Sequence, residues 1–196
     1  MTYQIIQPPF TLKFQEMPKQ ELKDYFAWFQ SVVPDRLNIL TRSVQQTPGF
    51  EAWQPDFTPA SLDLLGNWFA TQVETRSRTE GEIQEIEDRL LFPIEVPDKE
   101  LTNRTFSLAM DIGMYLSQVF LKNHPTLRWD QLFGKKKDAD YGQPVLVGFS
   151  GVSFNPVWML VTLAYGLVNK SKTGKRLREL YDIWANMVGV RVDKAK

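Results

Sequence analysis

The stretch from Leu101 to Lys122, LTNRTFSLAMDIGMYLSQVFLK, constrains the fold more than any other part of this chain. Apolar residues reach nearly every side of its helical wheel, so a helix here has to be wrapped by other elements. Its polar residues Ser107, Asp111 and Gln118, at spacings of 4 and 7, collapse onto one stripe. Phe106, Met110, Gly113, Leu116, Val119 and Phe120 cover the remaining faces. A membrane span of about 20 apolar residues is the rival reading, but Asp111 sits in mid-segment, where a carboxylate is costly. The stretch therefore predicts a buried central helix, and no membrane partner is expected.

Length and composition narrow the rest. The 196 residues suit one globular domain over 1–196, with an extended arm at 1–17 and a frayed tail at 190–196. A chain of this size buries about 70% of its unfolded surface, so it needs no metal or disulfide staple. It has no cysteine, which removes disulfides, thiolate metal sites and cysteine nucleophiles together. Its 23 basic and 23 acidic residues cancel, so no global field draws in nucleic acid, and none is expected as a partner. The opening MTYQIIQPPFTLKF lacks the basic and long apolar regions of a secretory signal, which predicts a cytoplasmic protein.

Around the central stretch the pattern is mostly helical. Pro8-Pro9 keeps the arm extended, and Pro18 suits the first turn of a helix carrying Leu22, Tyr25, Phe26, Phe29 and Val32. Pro34 is expected to end or kink that helix, with a restart toward Gln45. An aromatic-pinned connector over 50–57 precedes Thr58-Pro59, a helix start with Leu62, Leu65, Trp68, Phe69 and Val73 on one face. Thr79 and Glu82 form a capping box before Ile83, Ile86 and Leu90, and Pro93 and Pro97 bracket an extended piece. Beyond Lys122, weak alternation over 127–132 and the β-rich run 144–149 predict a two-stranded hairpin with a long polar loop. Asn155-Pro156 caps a second apolar helix, and Thr173 is expected to cap the last one. The fold class is mainly α, of α+β type: a helical bundle around a buried central helix, with a small β-hairpin.

Little conventional chemistry fits these residues. The single histidine, His124, follows the central helix, where its ring suits the helix end better than the general-base position of a hydrolase. No cofactor and no metal are expected, since zinc draws on cysteine and histidine and the carboxylates of 74–88 show no paired motif. The segment Ser171–Lys175 fails the phosphate-loop pattern twice, with Asn169 for the first glycine and Arg176 for the hydroxyl residue. Lys135, Lys136 and Lys137 form one basic patch, and the 170–178 region forms another. Asp111 requires a partner, because a buried carboxylate costs several kcal/mol unless paired. A buried arginine, a tryptophan N–H or backbone donors would serve.

The order Asp111-x-Gly113-x-Tyr115-Leu116, Leu127-x-Trp129, Gln143-Pro144-Val145-Leu146 and Asn155-Pro156 resembles a group of uncharacterised bacterial cytosolic proteins. The resemblance covers roughly 105–168 and implies a central helix, a tryptophan-bearing strand, a hairpin and a further helix. The group often places Gly-Glu after Tyr-Leu, whereas Ser117-Gln118 stands here and removes a candidate carboxylate. Some members look like immunity or accessory proteins of toxin systems, which implies a protein partner, and no catalytic residue carries over.

Two functional readings follow. The first is a protein-interaction module of immunity or regulatory type, with aromatic side chains and the Lys135–Lys137 loop as contacts. The second is a small-molecule binder or enzyme, with Asp111, Tyr115, Trp129 and Tyr141 lining a pocket between hairpin and central helix.

Overall fold

In chain order the computed structural model describes residues 3–88, 92 and 95–189. An arm without helix or strand, 3–17, leads into α1 (Lys19–Gln45), and α2 (Ser61–Gln72) follows the aromatic connector. Strand β1 (Thr75–Ser77), helix α3 (Glu80–Glu87) and strand β2 (Lys99–Leu101) lead to α4 (Asn103–Asn123), the central helix. Three strands come next, β3 (Arg128–Gln131), β4 (Pro144–Phe149) and β5 (Val152–Phe154), then α5 (Pro156–Val168) and α6 (Arg176–Ala185). The expected class is what forms: six helices among the described residues, with antiparallel sheets of two and three strands, β1-β2 and β3-β4-β5.

Helix starts follow their sequence signals at α3 and α5, whereas α2 begins only at Ser61, past Thr58-Pro59, with no side-chain cap. Thr79 and Glu82 close a capping box on α3, and the Asn155 side chain accepts the Trp158 N–H at 3.1 Å before α5. Thr173 does not cap α6, which begins after Lys175 with no side-chain cap. A closer constraint sets that loop: a Cβ on Gly174 would lie 2.5 Å from the Gly66 carbonyl oxygen, so two backbones touch there. Pro34 neither ends α1 nor forces a restart, since the helix continues through it to Gln45. Pro34 and Gln30 are both exposed, so the carbonyl that loses its donor faces water. Buried Phe29, Val33, Arg36 and Leu40 hold the two halves of the helix against the core.

The hairpin gains a third strand. Trp129 pairs with Leu146 and Asp130 with Val145, as the 127–132 and 144–149 runs suggest, and Leu146 also pairs with Phe154 of β5. The three-residue β5, like β1 and β2, is too short for a period-two pattern to show. Leu90, Pro93, Ile94, the first two residues of the arm and the 190–196 tail lie outside the described residues.

Helix α4 is wrapped on all sides, with Ile112, Leu116, Val119 and Phe120 fully buried. Gly113 permits the closest approach: a Cβ there would lie 3.1 Å from the Pro156 carbonyl oxygen at the start of α5. Tyr25, Phe29 and Val33 of α1 meet Met110 and Met114 of α4 in one apolar cluster. Leu62, Leu65, Phe69, Leu160, Leu177 and their neighbours meet the opposite faces of α4 in a second, larger one.

Candidate functional site

Asp111 is 0% exposed, and its partner is a buried arginine. Arg36 of α1 grips it with two hydrogen bonds, Nε to Oδ1 and an Nη to Oδ2, both 2.8 Å. The Tyr3 hydroxyl donates to Oδ2 at 2.5 Å and lies 2.8 Å from Ser107 Oγ, one helical turn before Asp111. The Ile6 N–H donates to Ser107, and Arg36 reaches the Gln4 carbonyl oxygen. The polar stripe of the central helix thus fastens the N-terminal arm. Burial pushes the Asp111 carboxyl up from its ordinary range, while the hydrogen bonds and charge of Arg36 pull it down. Burial alone would lower Arg36, but its bonds to Asp111 outweigh that and hold it protonated. Burial and the adjacent carboxylate keep the Tyr3 phenol a donor.

Tyr115 faces another direction. Its hydroxyl lies 2.7 Å from Ser61 Oγ and accepts the Phe57 N–H at 3.2 Å, and its ring stacks on Phe57 and meets Trp53 edge-on. It pins the connector to the core. Trp129 packs edge-on against Phe29 at 5.4 Å, and Tyr141 joins the cluster of Met17, Leu22 and Tyr25. Among the described residues the four candidates face different ways: Asp111 meets Arg36, Tyr115 the connector, and Trp129 and Tyr141 the residues of α1. Met114, Phe29 and their neighbours fill the space that a pocket between sheet and central helix would need.

Lys135, Lys136 and Lys137 are exposed on the loop after β3, whose first turn is held by the Lys135 N–H donating to Asp138. Tyr141 lines a groove of about 280 Å3 beside that loop, with Leu12, Lys13 and Phe14 of the arm as its other wall. His124 follows directly on α4 as its C-cap, and its Nε2 lies 3.0 Å from the Tyr181 hydroxyl of α6. Burial lowers its pKa, and the ring contact that the structure shows is with Tyr181 and Phe120 rather than with the last carbonyls of the helix. Among the described residues, no three His, Asp or Glu side chains converge as a metal site would require.

The most exposed aromatic of the structured elements is Trp158, 60% accessible on α5. That helix contains no charged residue. Val161, Thr162 and Tyr165 continue the Trp158 face at helical spacing, each at least partly accessible. At its edge Tyr165 donates to Glu100, which also pairs with Arg78; burial and then Glu100 push Tyr165 up to about 12. The exposure of Trp158 is not legible in the sequence, because a chargeless helix has no polar side to mark what faces out. Arg36 was legible in principle: it is the one charged residue among the buried positions 22, 25, 29, 33, 36, 40 and 44 of α1.

The fold and these sites define a mainly helical α+β protein in which no helix, among the described residues, is long and apolar enough to cross a membrane. Comparison with protein-family models, with curated proteins and with solved structures gives no match.

Proposed function

We propose that this chain is a protein-binding module acting in the bacterial cytoplasm, of immunity or regulatory type. The observation that carries the reading is the outer face of α5, where Trp158 is 60% exposed on a helix without charge. Large exposed aromatics cost solubility and concentrate at interfaces, where tryptophan is among the commonest anchors. Asp111 supports it from the other side, since both carboxylate oxygens are occupied by Arg36 and Tyr3. The resemblance over 105–168 adds the immunity or accessory role, and α5 lies inside that span.

Affinity capture from a host lysate, with wild type and Trp158→Ala in parallel, tests the reading. A partner retained by wild type and lost by the variant supports it. Equal retention, or turnover in a broad substrate screen that Asp111→Asn abolishes while the fold persists, overturns it.

A further inference from the structure

The arm is held from outside itself. Among the described residues, 3–12 make no backbone-to-backbone hydrogen bond, and the bonds that seat the arm come from side chains of α1 and α4. Tyr3 keys a socket of Arg36, Asp111 and Ser107, its ring centroid 5.6 Å from the Arg36 guanidinium carbon and 5.8 Å from that of Arg104. Ile6 and Phe10 pack on the cluster of Tyr25 and Phe29, with Phe10 edge-on to Tyr25 at 5.5 Å.

Between this seat and α1 the chain has a weak link. Thr11, Leu12 and Lys13 are all exposed, and Leu12 holds a left-handed backbone, φ +59°. That conformation is disfavoured for a leucine by about 5- to 30-fold. Pro8-Pro9 stiffens the seated part, so bending falls on the exposed link. Opening the link releases the strain at Leu12 and frees residues 3–10 as one piece.

We infer that two copies of this chain exchange their arms, residues 3–10 of each seating in the Arg36–Asp111–Ser107 socket of the other. The socket of each copy is then completed by a tyrosine that its partner supplies. An unrelated occupant would have to present a phenol, a carbonyl oxygen and an N–H at the spacing of Tyr3, Gln4 and Ile6. A second copy does so by identity. The contact leaves α5 free, so it stands apart from the Trp158 reading. Concentration sets the balance: a short tether holds the chain's own arm at an effective concentration on the order of millimolar. Relief of two strained links moves the exchange below that.

Sedimentation velocity between about 0.01 and 1 mM tests this, and wild type should show a dimer that grows with concentration. Tyr3→Ala should stay monomeric over the same range. Leu12→Gly removes the left-handed penalty of the closed form and should weaken the dimer roughly tenfold or more. Leu12 is exposed and outside both apolar clusters, so this variant decides the matter even if Tyr3→Ala fails to fold. Trp158→Ala should dimerise as wild type does. The chain has no cysteine, so single cysteines report cleanly on which arm sits where. Ile5 and Val32 border one cleft between the arm and α1. Ile5→Cys mixed with a size-tagged Val32→Cys chain and a short bismaleimide should give a covalent dimer of unlike chains. A wild type that is monomeric throughout, or the absence of that mixed product, overturns the inference. So does a dimer that persists in Tyr3→Ala or is as tight in Leu12→Gly. A dimer lost in Trp158→Ala moves the two-fold contact to α5 and overturns it as well.

Discussion

Placing Arg36 and Asp111 out of water is expensive, and the pair is tolerable because both carboxylate oxygens, the arginine Nε and one Nη have matched partners. Removing one member should therefore cost far more than removing both. Arg36→Met leaves an unpaired buried carboxylate and is expected to destabilise by roughly 3–5 kcal/mol in urea melts. Arg36→Met with Asp111→Leu should lose clearly less than the sum of the two single changes; strict additivity would show that the two groups do not act as a pair. The need for a partner was legible from Asp111 alone, while its identity depended on how α1 crosses α4, which local pattern does not encode. His124 makes a second residue-scale prediction. Burial lowers its folded pKa below the unfolded value of about 6.5, so folding opposes its protonation. Its contribution to stability is complete above that unfolded value and is lost as pH falls through the lowered folded one. Wild type should lose more of its urea midpoint than His124→Gln between about pH 7 and 5. Parallel curves would place the ring in water.

Elements were legible where one strong local signal decides them. The Thr79–Glu82 box and the Asn155-Pro156 start name their helices because the cap is made by residues adjacent in sequence. Pro34 misleads because its cost depends on where the orphaned carbonyl points, a property of the packed helix and not of the dipeptide. The Ser171–Lys175 loop misleads in the same way: Thr173 looks like a helix cap and is none, and the neighbouring Gly174 is there for contact. A Cβ on Gly66 would stand 2.1 Å from the Gly174 carbonyl oxygen, a backbone atom that no rotamer change can move aside. Gly66→Ala should push the 171–175 loop and α6 away from α2, at a cost of about 1–3 kcal/mol or more as for overpacked sites. Gly81, with open space around it on α3, is the control: Gly81→Ala should be neutral or slightly stabilising. A Gly66→Ala protein as stable as wild type would mean that the two backbones separate without loss.

At the scale of the molecule, two helices own both apolar clusters. Helix α4 gives Met110 and Met114 to one cluster and Ile112, Leu116 and Val119 to the other. Helix α1 gives Leu22, Tyr25 and Phe29 to the first, and Leu40 and Val44 to the second. Neither cluster can dissolve without unwinding a helix that the other one holds. Unfolding should therefore be one cooperative event. The tryptophans report on both sides, with Trp28 and Trp129 against the smaller cluster and Trp53 and Trp68 inside the larger. Their combined fluorescence and the far-UV circular dichroism should give the same urea midpoint. Amide exchange adds the spatial version of the argument. Protons of α4 should exchange only through global opening, and those of α3, which buries no residue, should exchange fastest among the helices. The continuity of α1 through Pro34 is what couples the two clusters from the arm side. Two separated transitions, with the Lys19–Val33 half of α1 exchanging well before Leu40–Val44, would show that Pro34 uncouples them after all.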